Sequence, residues 1–197
     1  VVALGHTAGT YEEASEAITA GASLVTHLFN AMPPLHHRQP GVVGAAFLHK
    51  VTCEVIADNI HVVPVVQQLL TKIKPVEQLV LVTDAMRACL LADGTYDLGG
   101  LSVQVKEGQA RREDGTLAGS TLVMNEALRN FYRNTGLPLA EVVKMATLNP
   151  ARILRIAHRK GSIAPGKDGD LVLWDGDFNV LMTVVAGKTV YTSRAWD

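Results

Sequence analysis

The chain has 197 residues, a formal net charge of −1 and a pI near 6.7, and 48% of its residues are hydrophobic. So small a charge leaves no electrostatic footprint for nucleic acid or an anionic membrane surface, and the apolar content excludes a disordered chain. Cys53 and Cys89 are too few for a disulfide framework or a zinc knuckle and point to a reduced, cytoplasmic setting; no apolar run approaches the ~18 residues of a membrane span.

The chain begins Val1-Val2-Ala3-Leu4, without methionine or a visible signal peptide and already inside a strand-like run. That start predicts the back part of something longer. Gly5-His6-Thr7 closes the strand. Thr10-Tyr11-Glu12-Glu13 is a capping box, which predicts a helix from Thr10 to Ala20, stopped by Gly21. Ala22 to Val25 reads as a second, buried strand. It leads into Thr26-His27-Leu28-Phe29-Asn30-Ala31-Met32-Pro33-Pro34, where the paired prolines force the chain out of regular structure. A long loop is expected from Asn30 to Gly41, carrying His36, His37 and Arg38. Val51 to Ile56 is a third strand and runs into Asp58-Asn59-Ile60-His61. Pro64 opens a helix through Lys72, since proline is tolerated in a first turn. Leu79 to Val82 is a fourth strand, ending at Thr83-Asp84.

Strands that follow one another through helical crossovers are parallel, so their carboxyl ends share one rim. His6, His27, His61 and Asp84 stand at or just past those ends. That rim is where α/β enzymes place metal ligands and substrate grips. The bland alternative is that these residues merely cap strand ends in solvent. That blander account needs four coincidences, and the convergence carries the functional reading.

Beyond Asp84 the texture changes. Tyr96 to Leu117 alternates like strands, as in Leu101-Ser102-Val103-Gln104-Val105, with turns at Lys106-Glu107-Gly108 and Asp114-Gly115. A β-hairpin excursion over 95–118 is expected. Ser120 is expected to cap a helix to about Thr135 whose apolar face holds Leu122, Val123, Leu128 and Phe131. Gly136-Leu137-Pro138 breaks it, and a helix over Leu139 to Thr147 follows. Asn149-Pro150 reads as a turn and Ala151 to Ala157 as a short helix. From Gly161 the chain turns β-like, with strands at Leu171 to Trp174, Met182 to Val185 and Thr189 to Tyr191.

Two histidines on adjacent strand ends can hold one divalent metal, and zinc suits imidazole ligands while keeping a position open for water. Asp84 is either a third ligand or the general base that moves a proton from water to a leaving amine. Both roles lead to metal-assisted hydrolysis. Backbone N–H groups at Asn30-Ala31, with Arg38 nearby, suit a phosphate or carboxylate, although a loop arginine is more often simply solvated.

Gly5-His6-Thr7, Thr26 to Pro33, Leu81-Val82-Thr83-Asp84-Ala85-Met86 and Leu117-Ala118-Gly119-Ser120 occur in an order and spacing that closely resemble the N-acetylglucosamine-6-phosphate deacetylase family of the amidohydrolase superfamily. Ala146 to Ala151 and Gly161 to Leu171 resemble amidohydrolases in general. The resemblance implies an α/β fold, the second half of a (β/α)8 TIM-type barrel over 1–158, with the C-terminal strands of a small β-sandwich domain over 159–197. By it, His6 and His27 match two metal ligands, for zinc first and iron as the alternative, and Asp84 matches the catalytic aspartate. Asn30, Ala31 and Arg38 match the grip on the sugar phosphate, and Asp58, Asn59, Ile60, His61, Leu117, Ala118 and Gly119 match further substrate contacts. The family supplies the arginine at the position of Arg38 across a dimer interface, so a homodimer is implied, with no nucleic-acid or membrane partner.

The chain departs from the family pattern in three places. The family's metal-binding glutamate lies in a His-Leu-Glu-Gly-Pro motif, which is absent here, as is another substrate-binding histidine. Asn59 stands where glycine is usual, and asparagine tolerates a left-handed backbone. Ala8-Gly9 departs after Gly5-His6-Thr7. The implied reaction is removal of the N-acetyl group of N-acetylglucosamine 6-phosphate. The alternatives are another amidohydrolase acting on a different N-acyl or cyclic amide, and an inactive fragment. Half a barrel is expected to leave open strand edges and an uncovered apolar layer around Val25, Val55, Ile56, Leu81 and Val82.

Overall fold

Strand–helix–strand units fill the chain as far as Leu81: β1 (Ala3–Leu4), α1 (Tyr11–Thr19), β2 (Leu24–Val25), α2 (Gly41–Leu48), β3 (Thr52–Val55), α3 (Pro64–Ile73) and β4 (Leu79–Leu81). The structure is a computed structural model that describes residues 1–194. The four strands form one parallel sheet in the order β1-β2-β3-β4, with Ala3 beside Leu24, Leu24 beside Thr52 and Cys53 beside Leu79. The ladder continues past the strand ends: Thr26 donates its N–H to the Leu4 carbonyl at 2.9 Å, Leu28 to Glu54 at 2.9 Å and Val82 to Val55 at 3.1 Å. Those bonds bring His6, His27 and the approach to Asp84 onto one edge, as expected for parallel strands.

The helices start where their chemistry dictates. At α1 the Thr10 hydroxyl accepts from the Glu13 N–H at 3.2 Å and the Glu13 carboxylate accepts from the Thr10 N–H at 2.8 Å, the reciprocal capping box. Pro64 opens α3. The stretch expected to be loop as far as Gly41 is followed by α2, which the sequence did not announce. Its residues Gly41 to Ala46 are all buried. A helix apolar all round has no amphipathic period to detect. Its carboxyl end is held by Lys74, only 2% exposed, whose Nζ donates to the carbonyls of Ala46 at 2.9 Å and His49 at 3.0 Å.

The core lies between the sheet and its helices. Val25, Val55 and Ile56 are fully buried and Leu81 is 3% exposed, packed with Phe131, Met145 and Leu70. This corrects the expected uncovered layer at those residues, since α4 (Met124–Thr135) and α5 (Leu139–Ala146) join the same core. Gly136, with φ of 67°, ends α4 in the left-handed conformation that suits glycine. The Asn149-Pro150 turn is also corrected. Both residues lie in the first turn of α6 (Leu148–Ile153), where proline is tolerated. Asn149 donates its side-chain amide to the carbonyls of Val76 and Leu79 at 2.8 and 2.9 Å, pinning α6 to β4.

Between β4 and α4 stands an antiparallel sheet of three strands, β5 (Gly94–Leu98), β6 (Leu101–Lys106) and β7 (Gln109–Arg111), with its own small core of Met86, Ala88, Val103, Val105 and Ala110. The expected hairpin therefore has a third strand. A last antiparallel sheet joins β8 (Leu171–Trp174), β9 (Val180–Val185) and β10 (Lys188–Thr192). It touches the rest through Phe178, 4% exposed, whose ring stacks on Trp174 at 5.9 Å and whose carbonyl accepts from Asn125. The consecutive residues Leu171, Val172 and Leu173 are 42%, 49% and 42% exposed, so both faces of this sheet carry open apolar surface. The expected C-terminal segment extends to residue 197, and 195–197 lie outside the described residues.

Candidate active site

The chain turns sharply at the end of each parallel strand, through a residue with positive φ that is not glycine. These are His6 (48°), His27 (30°), Asn59 (66°) and Asp84 (50°). L-residues reach this region at a cost of roughly 1–2 kcal/mol, and such strain clusters at functional sites. Three of these turn residues, His6, His27 and Asp84, reach a cleft of about 660 Å³ that is also lined by Asn30, Ala31, His61 and Leu117 to Gly119.

Within it the His6 and His27 rings meet edge to face, with their Nε2 atoms 2.9 Å apart. Two imidazole nitrogens on one tetrahedral zinc at ~2.0–2.1 Å would stand about 3.3 Å apart, so the pair converges as metal ligands do. His27 is buried and its Nδ1 has no hydrogen-bond partner, which leaves Nε2 as the ring's polar contact. The two histidines therefore fit a divalent ion as two of its ligands. Among the described residues there is no group of three or more metal-ligating side chains. Asp84 lines the same cleft.

The approach of β1 to β2 depends on Gly5. A Cβ there would stand 2.1 Å from Thr26 Cγ2, and Thr26 is held by its Oγ1 donating to Glu54 Oε2 at 2.6 Å. Gly5→Ala is therefore expected to destabilise the protein by about 1–3 kcal/mol. That corresponds to a Tm lower by about 2–12 °C, with the His6–His27 spacing disturbed. A thermal melt and a zinc titration check it, and an unchanged Tm with unchanged metal content would refute the close approach.

After β3 the side chains divide their work. Asp58 Oδ1 accepts the N–H groups of Ile60 at 2.8 Å and His61 at 2.7 Å, and Oδ2 faces His61 Nδ1 at 2.6 Å. Burial pushes this carboxyl up, but the His61 ring and the two backbone N–H groups outweigh it and hold Asp58 below the usual carboxylate range. Asp58 orients His61, and His61 alone of this segment lines the cleft. Asn59 points away, its Oδ1 accepting from Gln67 Nε2 at 3.1 Å and Asn134 Nδ2 at 2.6 Å, which fastens the left-handed turn to α3 and α4. Ile60 does not reach the cleft either.

Asn30 donates its side-chain amide to the carbonyls of His27 and Leu28, both at 3.2 Å, and so closes the turn after β2. Arg38 is exposed and stands outside the cleft, with Nη1 2.7 Å from His37 Nε2. Ser120 does not cap α4. It pairs alongside Ala85, its N–H donates to the Asp84 carbonyl at 2.8 Å, and its hydroxyl donates to the Thr83 carbonyl. Gly119, at φ of 66°, lets this segment approach, since a Cβ there would meet the Asp84 carbonyl oxygen at 3.3 Å. Ser120 is thus part of the rim's framework.

Sequence reasoning missed Met86, Leu98, Arg111 and Thr116, which also line the cleft. The alternation of the β5–β7 segment marked strands, yet nothing in it indicated that this sheet walls the cleft. Cys53 is no alternative nucleophile. Burial pushes its thiol up to about 11, partly opposed by Lys74, which keeps it protonated and inert.

Residues 1–190 match the family model described as the amidohydrolase family. The chain belongs to the amidohydrolase family. This amidohydrolase is 42% identical over 198 residues to an N-acetylglucosamine-6-phosphate deacetylase of Bacillus subtilis (strain 168), covering 100% of this chain and 50% of that protein. It is also 42% identical to an N-acetylgalactosamine-6-phosphate deacetylase of Escherichia coli O157:H7, covering 95% and 50%. A mutant N-acetyl-D-glucosamine-6-phosphate deacetylase of Mycobacterium smegmatis, solved with N-acetyl-D-glucosamine-6-phosphate, superposes with a TM-score of 0.92 at 41% identity, covering 98% of this chain and 52% of that one. The amidohydrolase chain spans about half the length of the curated relatives it matches.

Proposed function

We propose that this chain carries one half of a metal-dependent amide hydrolase that converts N-acetylglucosamine 6-phosphate into glucosamine 6-phosphate and acetate. The observation that carries the reading is the convergence of His6, His27 and Asp84 on one cleft at the carboxyl rim of a parallel sheet. The names of the relatives at 42% identity supply the substrate class. Under this reading residues 1–158 are the second half of a (β/α)8 barrel and 159–197 the C-terminal strands of a small β-sandwich domain. The strand order β1-β2-β3-β4 and the uncovered faces of the β8–β10 sheet support that division.

His6 and His27 would hold the ion, zinc by the preference of imidazole. A divalent ion there supplies Lewis acidity that makes water nucleophilic near neutral pH. Asp84 takes the proton from the attacking water and returns it to the leaving amine. His61, oriented by Asp58, faces the substrate from the third strand end. Asn30, Ala31 and Leu117 to Gly119 line the sugar's bed. Exposed Arg38 suits a dimer in which it serves the partner's cleft. The free thiols of Cys53 and Cys89 fit the reducing cytoplasm. Among the described residues no helix is long and apolar enough to cross a membrane.

The test is acetate release by the whole natural protein supplied with zinc. The panel holds N-acetylglucosamine 6-phosphate, its galactosamine epimer, an N-acyl amino acid and a cyclic ureide. Turnover is expected for the amino-sugar phosphates. The relative named for the galactosamine substrate keeps the epimer as the second reading. Turnover of the ureide or N-acyl amino acid alone would overturn the proposal.

A further inference from the structure

Gln67 lies one turn inside α3 and is 0% exposed. A carboxamide so deeply buried costs stability unless its polar atoms are bonded, and an apolar residue would fill the same space without that cost. Its Nε2 uses both hydrogens: one goes to the Val62 carbonyl at 2.7 Å and the other to Asn59 Oδ1 at 3.1 Å. Its Oε1 accepts from Asn134 Nδ2 of α4 at 3.0 Å, and the same Nδ2 donates to Asn59 Oδ1 at 2.6 Å. The three carboxamides close a ring of hydrogen bonds. A fourth amide, Asn130 on α4, donates to the Ala57 carbonyl at 2.9 Å. Both donor bonds of Gln67 therefore end on the segment that carries His61, one on each side of it. The N-cap of α3, Val63, makes no side-chain bond that ties this segment to the helix.

We propose that Gln67 is a positioning residue for His61, whose carboxamide clamps both flanks of the strand-end turn to α3 and so holds the imidazole at the cleft. For the reaction this rests on the amide-hydrolase reading above. Asp58 and Gln67 act at different levels. Asp58 bonds the His61 ring and the N–H groups of Ile60 and His61, which sets the ring relative to its own turn. Those bonds are internal to the turn. Gln67 joins the turn to a helix, and Asn134 joins that helix to α4, so the core itself places the imidazole against the rim. Without the clamp the turn can shift as a unit and carry the imidazole with it, its internal bonds unbroken.

The whole natural protein is compared with its Gln67→Met variant, which keeps the side chain's length and removes its hydrogen bonds. kcat/KM for N-acetylglucosamine 6-phosphate is expected to fall roughly 100-fold, the cost of displacing an active-site group by about an ångström. A residue acting through His61 has nothing left to position once the imidazole is gone, so adding Gln67→Met to His61→Asn is expected to cost nothing further. A merely structural role would multiply the two losses. Asn149→Ala removes a buried amide that also bonds two carbonyls, away from the cleft. It is expected to lower Tm and to leave kcat/KM unchanged, with assays run below every variant's Tm; an equal loss there would make the effect one of general stability and overturn the proposal. Should Gln67→Met lose its fold, Asn134→Ala, which removes a half-buried member of the ring, carries the same cycle with His61→Asn. Hydrogen exchange reads the clamp without the reaction: the Ile60 and His61 N–H groups are expected to exchange roughly tenfold faster in Gln67→Met. If the natural protein deacetylates no amino-sugar phosphate, the proposed reaction fails, and faster exchange confined to this turn still upholds the clamp. Multiplied losses, or unchanged exchange, overturn it.

Discussion

Asp84→Asn is expected to leave the fold intact and to lower turnover of the whole enzyme by about 10²–10⁴-fold, the contribution of a positioned proton-transfer group. The substitution keeps the shape of the side chain and removes its basicity. Folding should survive for two local reasons. Asp84 has a φ of 50°, and asparagine tolerates that region at least as well as aspartate. The bond that ties this turn to the rest of the rim runs from the Ser120 N–H to the Asp84 backbone carbonyl, at 2.8 Å, and does not involve the side chain. Metal content should stay near normal because the two convergent nitrogens belong to His6 and His27. Acetate release, thermal unfolding and metal analysis of the purified variant check all three. Near-normal turnover would remove Asp84 from the proton path. Lost zinc with an intact fold would make it a ligand instead.

The 197-residue chain produced by itself is expected to be inactive with zinc supplied and to self-associate. Its inactivity follows from the ligand count: two convergent histidines make a weak site from which buffer components can draw the ion. Association follows from surface left open at the two ends of the fold. Strand β1 is a sheet edge preceded by Val1 and Val2, 69% and 62% exposed. The β8–β10 sheet shows Leu171, Val172, Leu173, Val190 and Tyr191, all more than 40% exposed. Adding the front half of a related deacetylase in trans is expected to restore some activity. Size-exclusion chromatography and an acetate assay decide it. A soluble monomer with family-like turnover and no added half would refute the half-site reading.

The parallel sheet was legible because each strand is a short apolar run ending on a polar residue, and each crossover carries a local helix signal such as the Thr10–Glu13 capping box. The convergence of His6, His27, His61 and Asp84 followed from that topology. What could not be read has a common cause in long-range packing. The α2 segment is apolar on every side, so its helix is decided by burial between neighbours. Ser120 looks like a cap in isolation, yet its hydrogen bonds go to residues more than thirty positions earlier, at Thr83 and Asp84. Asn149-Pro150 reads as a turn by local rule, but the buried amide of Asn149 is fixed by the carbonyls of Val76 and Leu79. Coverage of Val25, Val55 and Ile56 by α4 and α5 needed the three-dimensional arrangement, as did the placing of Leu98 and Arg111 against the rim.

The left-handed turns at His6, His27 and Asp84 set selection for activity against selection for folding at the same positions. Glycine would relax each backbone there and remove a side chain to which the proposed reaction gives a role. A search for thermostable variants that ignored turnover would therefore drift toward glycine at the strand ends and deliver a sturdier protein with an empty rim. At Asn59 that conflict is absent, because its carboxamide serves the packing of α3 and α4, and His61 is the residue of this segment that lines the cleft. Under the proposed reaction, Asn59 is the strand-end turn whose substitution removes no side chain from the cleft.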